Sequence, residues 1–135
     1  MAKIIKKTFK YKSGLEERAA EQLESLGVDF DYEPYSIEFE RPSRISRYTP
    51  DFLILCNGLL VETKGRFTSQ ERKKFKLIKE QHPDVDLRFV FSNPNTRIGK
   101  KSQTTYGMWC DRIGYLYAKE TIPEHWLKNN GKKTN

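Results

Sequence analysis

Residues 48–67 read YTPDFLILCNGLLVETKGRF, and this stretch decides the fold. Two apolar runs flank Asn57 and Gly58, and an Asn-Gly pair between such runs favours a two-residue turn that joins antiparallel strands. Counting outward from that turn, Asp51 lies opposite Lys64. The stretch therefore predicts a β-hairpin whose apolar residues place it at the centre of a sheet.

One face of this hairpin carries three charged side chains at its open end. With the two-residue turn, Leu53 lies opposite Glu62, and the alternation of side chains sends Asp51, Glu62 and Lys64 to the same face. Asp51 and Glu62 are then diagonal neighbours, about 7 Å apart at Cβ, and two such carboxylates can share one divalent cation. A lysine beside them can orient an attacking water as the ammonium or deprotonate it as the neutral amine, so the cluster fits phosphodiester hydrolysis. The same charges also fit a salt-bridged strand end in which Lys64 neutralises both acids.

Helical and strand patterns surround the hairpin. Apolar residues recur with helical spacing in three segments, and strict alternation marks several others. The predicted helices are 13–27, 68–81 and 106–114, and the predicted strands are 28–33, 35–40, 86–91 and a short one at 115–118. The sequence therefore predicts an α/β protein with a mixed sheet flanked by helices.

The chain has 135 residues, the usual size of one compact domain. We predict a single domain over residues 11–127, between a basic, flexible start at 1–10 and a disordered basic tail at 128–135. Residues 41–48, RPSRISRY, combine three arginines and a proline with few apolar residues. That composition predicts an exposed connection or hinge.

Bulk composition narrows the function classes. Lys and Arg number 25 against 18 Asp and Glu, and the net charge of +7 favours a polyanionic partner such as nucleic acid or an anionic membrane. No apolar run reaches the roughly 18 residues of a membrane span, and no signal-peptide pattern follows the lysine-rich start, so we expect a soluble intracellular protein.

Cys56 and Cys110 lack metal or redox spacing and are expected to be reduced core thiols, and neither histidine suggests a zinc site.

The segment from Pro50 to Lys64 resembles the PD…(D/E)xK motif of metal-dependent nucleases, in which Pro-Asp opens one strand and Glu-x-Lys lies in the next. The order of SGLE, YTPDF, NG, VETKG, ERKK and EQHP within residues 11–127 is similar to the phage endonuclease I family of Holliday-junction resolvases. This resemblance implies a restriction-endonuclease-like core. It also implies a structure-selective, metal-dependent endodeoxyribonuclease that cleaves four-way DNA junctions during phage recombination, in the cytoplasm of the host cell.

The resemblance implies roles for four residues. Asp51, Glu62 and Glu16 would bind Mg²⁺, with Mn²⁺ as a substitute, and Lys64 would be the catalytic lysine. Glu16 also stands three residues after Ser13, so it fits an ordinary capping box as well. One side chain can serve both roles.

The resemblance further implies an intertwined homodimer bound to branched DNA. In that arrangement Glu16 acts in trans, and residues 41–48 bridge the two halves. Basic residues would hold the DNA through its phosphates, although each of them also fits an ordinary solvated charge. The candidate DNA-binding residues are Arg41, Arg44, Arg47, Arg66, Arg72, Lys73, Lys74, Lys76, Lys100 and Lys101.

A non-catalytic, basic protein that binds DNA or captures junctions is the competing hypothesis. A pure phosphate binder gains nothing from two carboxylates on its contact face, whereas a metal-dependent nuclease requires them. The pairing of Asp51 with Glu62 therefore favours catalysis. It depends on a turn that keeps both residues on one face of the sheet.

Overall fold

The computed structural model describes residues 11–129. Its helices are α1 (Gly14–Ser25), α2 (Ser69–Gln81) and α3 (Tyr106–Ile113), followed by a 3₁₀ turn at Glu124–Leu127. Its strands are β1 (Phe30–Tyr32), β2 (Ile37–Arg41), β3 (Arg44–Tyr48), β4 (Phe52–Ile54), β5 (Leu60–Lys64), β6 (Leu87–Phe91) and β7 (Tyr117–Lys119). The predicted α/β class is confirmed. The predicted flexible start at 1–10 lies outside the described residues, as does the 130–135 part of the predicted tail.

Five strands form one mixed sheet in the order β1-β4-β5-β6-β7. β4 pairs antiparallel with both β1 and β5, whereas β5, β6 and β7 are parallel. Because parallel neighbours need a crossover connection, α2 links β5 to β6 and α3 links β6 to β7. β5 therefore lies at the centre of the sheet. Within residues 11–129, no helix is long and apolar enough to cross a lipid bilayer.

Apolar side chains cover both faces of the sheet. Leu60 packs in one core cluster with residues of α2, α3 and the β2–β3 hairpin, and the next residue, Val61, packs in a second cluster with α1 and the 3₁₀ turn. Burial of a side chain of this size contributes about 1.5–3 kcal/mol. The two clusters hold the central strands from both sides, which gives the charged end of β5 a rigid support.

Side-chain caps begin the helices where the sequence predicts them. Ser13 Oγ accepts the Glu16 N–H at 3.0 Å, and Thr68 Oγ1 accepts the Glu71 N–H at 3.2 Å. Each such cap is worth about 1 kcal/mol. α3 ends at Gly114, whose φ of 106° is strained for any other residue.

The central hairpin forms, but its predicted register is wrong. Phe52 pairs with Val61 and Leu53 pairs with Leu60, so Leu53 does not lie opposite Glu62. The register differs from the prediction by two residues. Since side chains alternate with period two, the paired residues of β4 and β5 keep their predicted faces.

The predicted two-residue turn is also wrong. Such a turn requires positive φ at both central residues, whereas Gly58 has φ of 77° and Asn57 does not have a positive φ. Residues 55–59 instead connect the two strands, in a loop where the Gly58 N–H donates to the Ile54 carbonyl at 2.8 Å. Cys56 is exposed in this loop, which contradicts its predicted core position, whereas Cys110 is buried as predicted.

Residues 41–48 are largely exposed, as predicted, but they form part of a β-hairpin and not an irregular connection. Arg44–Tyr48 is strand β3, which pairs antiparallel with β2 around a tight turn at residues 42–43. The resulting hairpin docks on the end of α2, where the Gln81 side chain exchanges two hydrogen bonds with the Glu40 backbone, at 2.8 and 2.9 Å. Backbone hydrogen bonds between β2 and β3 thus give residues 41–48 their hairpin structure although the segment has few apolar side chains. Its role as a bridge between two chains stays a prediction.

Candidate active site

Asp51 and Glu62 lie at the open end of the central hairpin. Continuing the β4–β5 register by one residue past Phe52 and Val61 sets Asp51 opposite Glu62. Both carboxyl groups are buried, with Asp51 7% and Glu62 5% exposed. Burial of two neighbouring carboxylates costs free energy, and folds retain such arrangements mostly at functional sites.

Asp51 is fixed by its side chain and by its backbone. Its Oδ2 accepts the Thr63 N–H at 2.8 Å and the Thr63 Oγ1–H at 2.9 Å. Its carbonyl accepts the Glu33 N–H at 2.7 Å. Glu33 has φ of 50°, a left-handed conformation that is uncommon outside glycine. The structure therefore maintains local backbone strain beside this carboxylate, as active sites often do.

Glu62 is held between a tyrosine and a lysine. Tyr48, the last residue of β3, donates its hydroxyl proton to Glu62 Oε1 at 2.6 Å. Lys64 Nζ lies 3.4 Å from Glu62 Oε2 and also contacts Glu71 Oε1 in the first turn of α2. The Lys64 ammonium is thus fixed between one carboxylate of the sheet and one of the helix.

Glu16 has the helix-capping role that its sequence position allows, and its carboxylate also contacts the sheet. It is 7% exposed, and its Oε1 accepts the Lys12 N–H at 2.8 Å, which closes the start of α1. The same oxygen accepts the Tyr32 hydroxyl at 2.6 Å. This contact with β1 turns the carboxylate from the helix towards the sheet.

The charges of these groups interact. Burial raises the pKa of Asp51 to about 8, with further contributions from the negative charges of Glu62 and Glu16. Burial also raises the pKa of Glu62, although Lys64 and Tyr48 oppose that change. Burial on its own lowers the pKa of Lys64, but Glu62 and Glu71 outweigh it, and the pKa of the ammonium rises. Glu16 therefore lies close enough to Asp51 of the same chain for its negative charge to raise the pKa of Asp51.

A hard divalent cation suits the excess negative charge around Asp51. Mg²⁺ needs only one or two protein carboxylates, because waters and substrate phosphates complete its coordination. Asp51 and Glu62 provide such a pair of oxygen ligands. Within residues 11–129, no three acidic, histidine or cysteine side chains are close enough to hold one metal ion. The predicted metal-binding role of Glu16 therefore stays a prediction.

Several contacts of the site have no signal in the sequence. Thr63 is the variable residue of Glu-x-Lys, and period-two alternation points it away from Glu62. Tyr48 belongs to the segment predicted to be a hinge, and Glu71 was assigned only a capping role. Their contacts arise because the end of β5, the end of β3 and the start of α2 meet in the fold.

The predicted DNA-binding cations lie on the β2–β3 hairpin, on α2 with the residues before it, and in the loop after β6. Half of them have protein partners: Arg41 with Ser46, Arg47 with Glu38, Arg72 with the Phe67 carbonyl, Lys74 with Glu71, and Lys76 with Glu80. The exposed remainder is Arg44, Arg66, Lys73, Lys100 and Lys101. These exposed side chains are accessible to DNA, and their contact with it stays a prediction.

Comparison with known proteins agrees with this geometry. The sequence model of the phage endonuclease I family matches residues 1–135. This chain belongs to the phage endonuclease I family. It is 46% identical over 132 residues to Endonuclease I of Escherichia phage T7, which covers 98% of this chain and 88% of that protein. It is also 46% identical over 123 residues to Endodeoxyribonuclease 1 of Enterobacteria phage T3, with coverage of 91% and 80%. The predicted family is therefore confirmed, and the nuclease class that the site predicts is supported.

Proposed function

We propose that this protein is a Mg²⁺-dependent endodeoxyribonuclease that cleaves four-way and other branched DNA by phosphodiester hydrolysis. The observation that carries the proposal is the buried pair of Asp51 and Glu62, set opposite each other with Lys64 beside them. A structural ion pair needs one acid for one lysine. Here three carboxylates, those of Asp51, Glu62 and Glu71, lie near two cations, Lys64 and Lys74. The excess negative charge suits a site that binds a metal and a phosphate.

Asp51 and Glu62 would hold the metal, and Mn²⁺ would substitute for Mg²⁺. When bound, the metal supplies a water of lowered pKa and polarises the scissile phosphate. Thr63 keeps the Asp51 carboxylate in place through two hydrogen bonds, and Tyr48 does the same for Glu62 through one. The protein thereby fixes both ligands before substrate arrives, which lowers the cost of reaching the transition state.

Lys64 would offset negative charge that develops on the phosphate. Its ammonium lies between Glu62 and Glu71, which favour the charged form. This environment supports electrostatic stabilisation more than proton abstraction by Lys64. The remaining carboxylate, Glu16, would assist from the α1 side, where Lys12 and Tyr32 orient it.

We also propose that the active form is an intertwined homodimer in the cytoplasm of the host cell. Two symmetry-related sites can cut two strands at related positions, which a four-way junction requires. In such a dimer the two chains would exchange α1, so that Glu16, which lies near Asp51 of its own chain here, would take the same place in the site of the partner chain, and residues 41–48 would connect the halves. Mixing Glu16→Gln and Asp51→Asn chains under subunit exchange tests this: nicking by the mixture supports composite sites, and no nicking despite proven exchange opposes them.

A synthetic four-way junction incubated with Mg²⁺ tests the activity itself. We expect wild-type protein to cut the junction, and Asp51→Asn and Lys64→Ala to cut at least about a hundredfold more slowly, because each removes a group that acts in the transition state. Chelation of the metal should stop cleavage. Undiminished cutting by Asp51→Asn would contradict the mechanism, and junction binding without any wild-type cutting would favour the non-catalytic alternative.

A further inference from the structure

A groove lined by four cations lies beside the active site. It has a volume of about 710 Å³ and runs between the start of α2 and the loop that joins β6 to α3. The cations that line it are Arg66, Arg72, Arg97 and Lys100, and none of the acidic residues within 11–129 lines it. We name this feature the basic groove.

The basic groove is lined by residues that adjoin the site in sequence, and it contains none of the site's carboxylates. Arg66 follows Lys64 by two residues, a separation of at most about 7 Å between Cα atoms. Arg72 belongs to the same end of α2 as Glu71, which contacts Lys64. A strand whose phosphate reaches Lys64 therefore passes into or alongside the groove within a nucleotide or two.

The walls of the groove are fixed by the core and by backbone hydrogen bonds. Phe67 is buried against Tyr106, with ring centroids 5.7 Å apart, and its carbonyl accepts Arg72 Nη1–H at 2.7 Å. On the opposite wall, the Tyr106 N–H donates to the Thr96 carbonyl at 2.9 Å, and Arg97 bridges to Thr105. The loop thus presents its cations from a defined structure.

The chemistry of the groove selects a polyanion. Among residues 11–129, Arg66, Arg97 and Lys100 form no ion pair with a protein carboxylate, so their charges are available to a ligand. Hydroxyl groups of Thr68 and Ser69 in the lining can donate hydrogen bonds to phosphate oxygens. Arg97 was not among the cations predicted from the sequence.

We propose that the basic groove binds the sugar–phosphate backbone of the DNA strand next to the phosphate that is cut. This inference rests on the proposed function and adds a binding site that is separate from the metal ligands. The groove holds the strand by charge, without reading its bases, and it does so in the absence of metal. Arg97 and Lys100 clamp the strand from the loop side, while Arg66 and Arg72 face them.

Junction affinity without divalent metal tests the proposal. The double variant Arg97→Gln/Lys100→Gln should bind a labelled four-way junction at least about tenfold more weakly, and the slope of log affinity against log salt should become shallower by about two. A matched control, Arg112→Gln/Lys119→Gln, removes the same charge from exposed positions outside the groove and should match the wild type. The proposal would be overturned if the groove variant bound as tightly as the wild type, or if the control lost as much affinity as the groove variant. It would also be overturned if the wild type did not bind the junction without metal.

A second experiment locates the strand. Single neutral methylphosphonates placed on either side of the cut should weaken wild-type binding at one to three adjacent positions, and the groove variant should lose that sensitivity. Identical sensitivity of both proteins at every position would overturn the proposal. If the wild type binds through the groove but cuts with no metal, the proposed function alone is refuted. If the wild type cuts and the groove variant binds the junction as tightly as the wild type, this inference alone is refuted.

Discussion

Asp51 Oδ2 accepts two hydrogen bonds from Thr63, one from its backbone N–H at 2.8 Å and one from its hydroxyl at 2.9 Å. The middle residue of Glu-x-Lys thus orients the aspartate of the neighbouring strand. We expect Thr63→Val, which retains the shape and the N–H donor, to lower the rate of single-turnover junction cleavage about tenfold. A hydrogen bond to a charged group is worth about 1.5 kcal/mol, which corresponds to that factor. Thr63→Ser should restore most of the rate, and equal rates for the Val and Ser variants would refute this role.

The contact between Lys64 and Glu71 gives a second prediction. Glu71→Gln removes a carboxylate that fixes the ammonium, and we expect about a tenfold loss of cleavage rate because a partly buried charge loses one of its two partners. Glu80→Gln is a matched control on the same helix, since its pair with Lys76 is exposed. Parallel cleavage time courses with saturating junction measure both. A loss in the control as large as that in Glu71→Gln would point to helix stability instead.

Tyr48 connects the β2–β3 hairpin to the site. Tyr48→Phe keeps the edge-to-face packing on Phe75, at 5.0 Å between ring centroids, but removes the hydroxyl donor to Glu62. We expect cleavage to slow about tenfold and the free energy of unfolding to fall by about 1.5 kcal/mol. Tyr115→Phe deletes another buried hydroxyl, one that donates to the Phe75 carbonyl, and should lower only the stability. Thermal melts and cleavage assays on both variants separate the two effects.

Local patterns predicted the helix caps and the strands that carry Asp51 and Glu62, because these features depend on neighbouring residues. Local patterns gave the wrong turn at Asn57, because residues distant in the sequence contact its side chain. Its side-chain nitrogen donates to the Trp126 and Lys128 carbonyls at 2.8 and 3.0 Å, and its side-chain oxygen accepts the Leu59 N–H. Those contacts favour the longer loop over the two-residue turn.

The structure of residues 41–48 was likewise missed for a tertiary reason. The segment has few apolar side chains, so its strand depends on pairing with β2 and on the burial of Tyr48 alone. The grouping of Glu16 with Asp51 was implied only by the family resemblance, and there in trans, because α1 and β4 are separated by most of the first half of the chain. Sequence spacing therefore located the carboxylates, while the residues that orient them required the fold.

Without metal, Asp51 makes stability depend on pH. Its pKa rises from an ordinary 3.8 to about 8, so the folded state holds a proton that the unfolded state releases. The resulting stabilisation is complete below about pH 4 and is lost as the pH rises through 8, at no more than about 1.4 kcal/mol per pH unit. We expect the melting temperature of wild-type protein in chelator to fall from pH 5 to pH 8 more steeply than that of Asp51→Asn. Parallel curves for the two proteins would show that Asp51 does not carry the effect.

Metal binding should reverse this loss of stability. A cation that binds the Asp51 and Glu62 carboxylates stabilises the folded state by mass action and displaces the proton from Asp51. We expect Mg²⁺ to raise the melting temperature of wild-type protein by several degrees, with a larger increase at pH 8 than at pH 6. Asp51→Asn should lose the increase, whereas Asp84→Asn, which changes an exposed acid outside the site, should retain it. An increase that persists in Asp51→Asn would place the stabilising metal elsewhere and exclude Asp51 as a principal ligand.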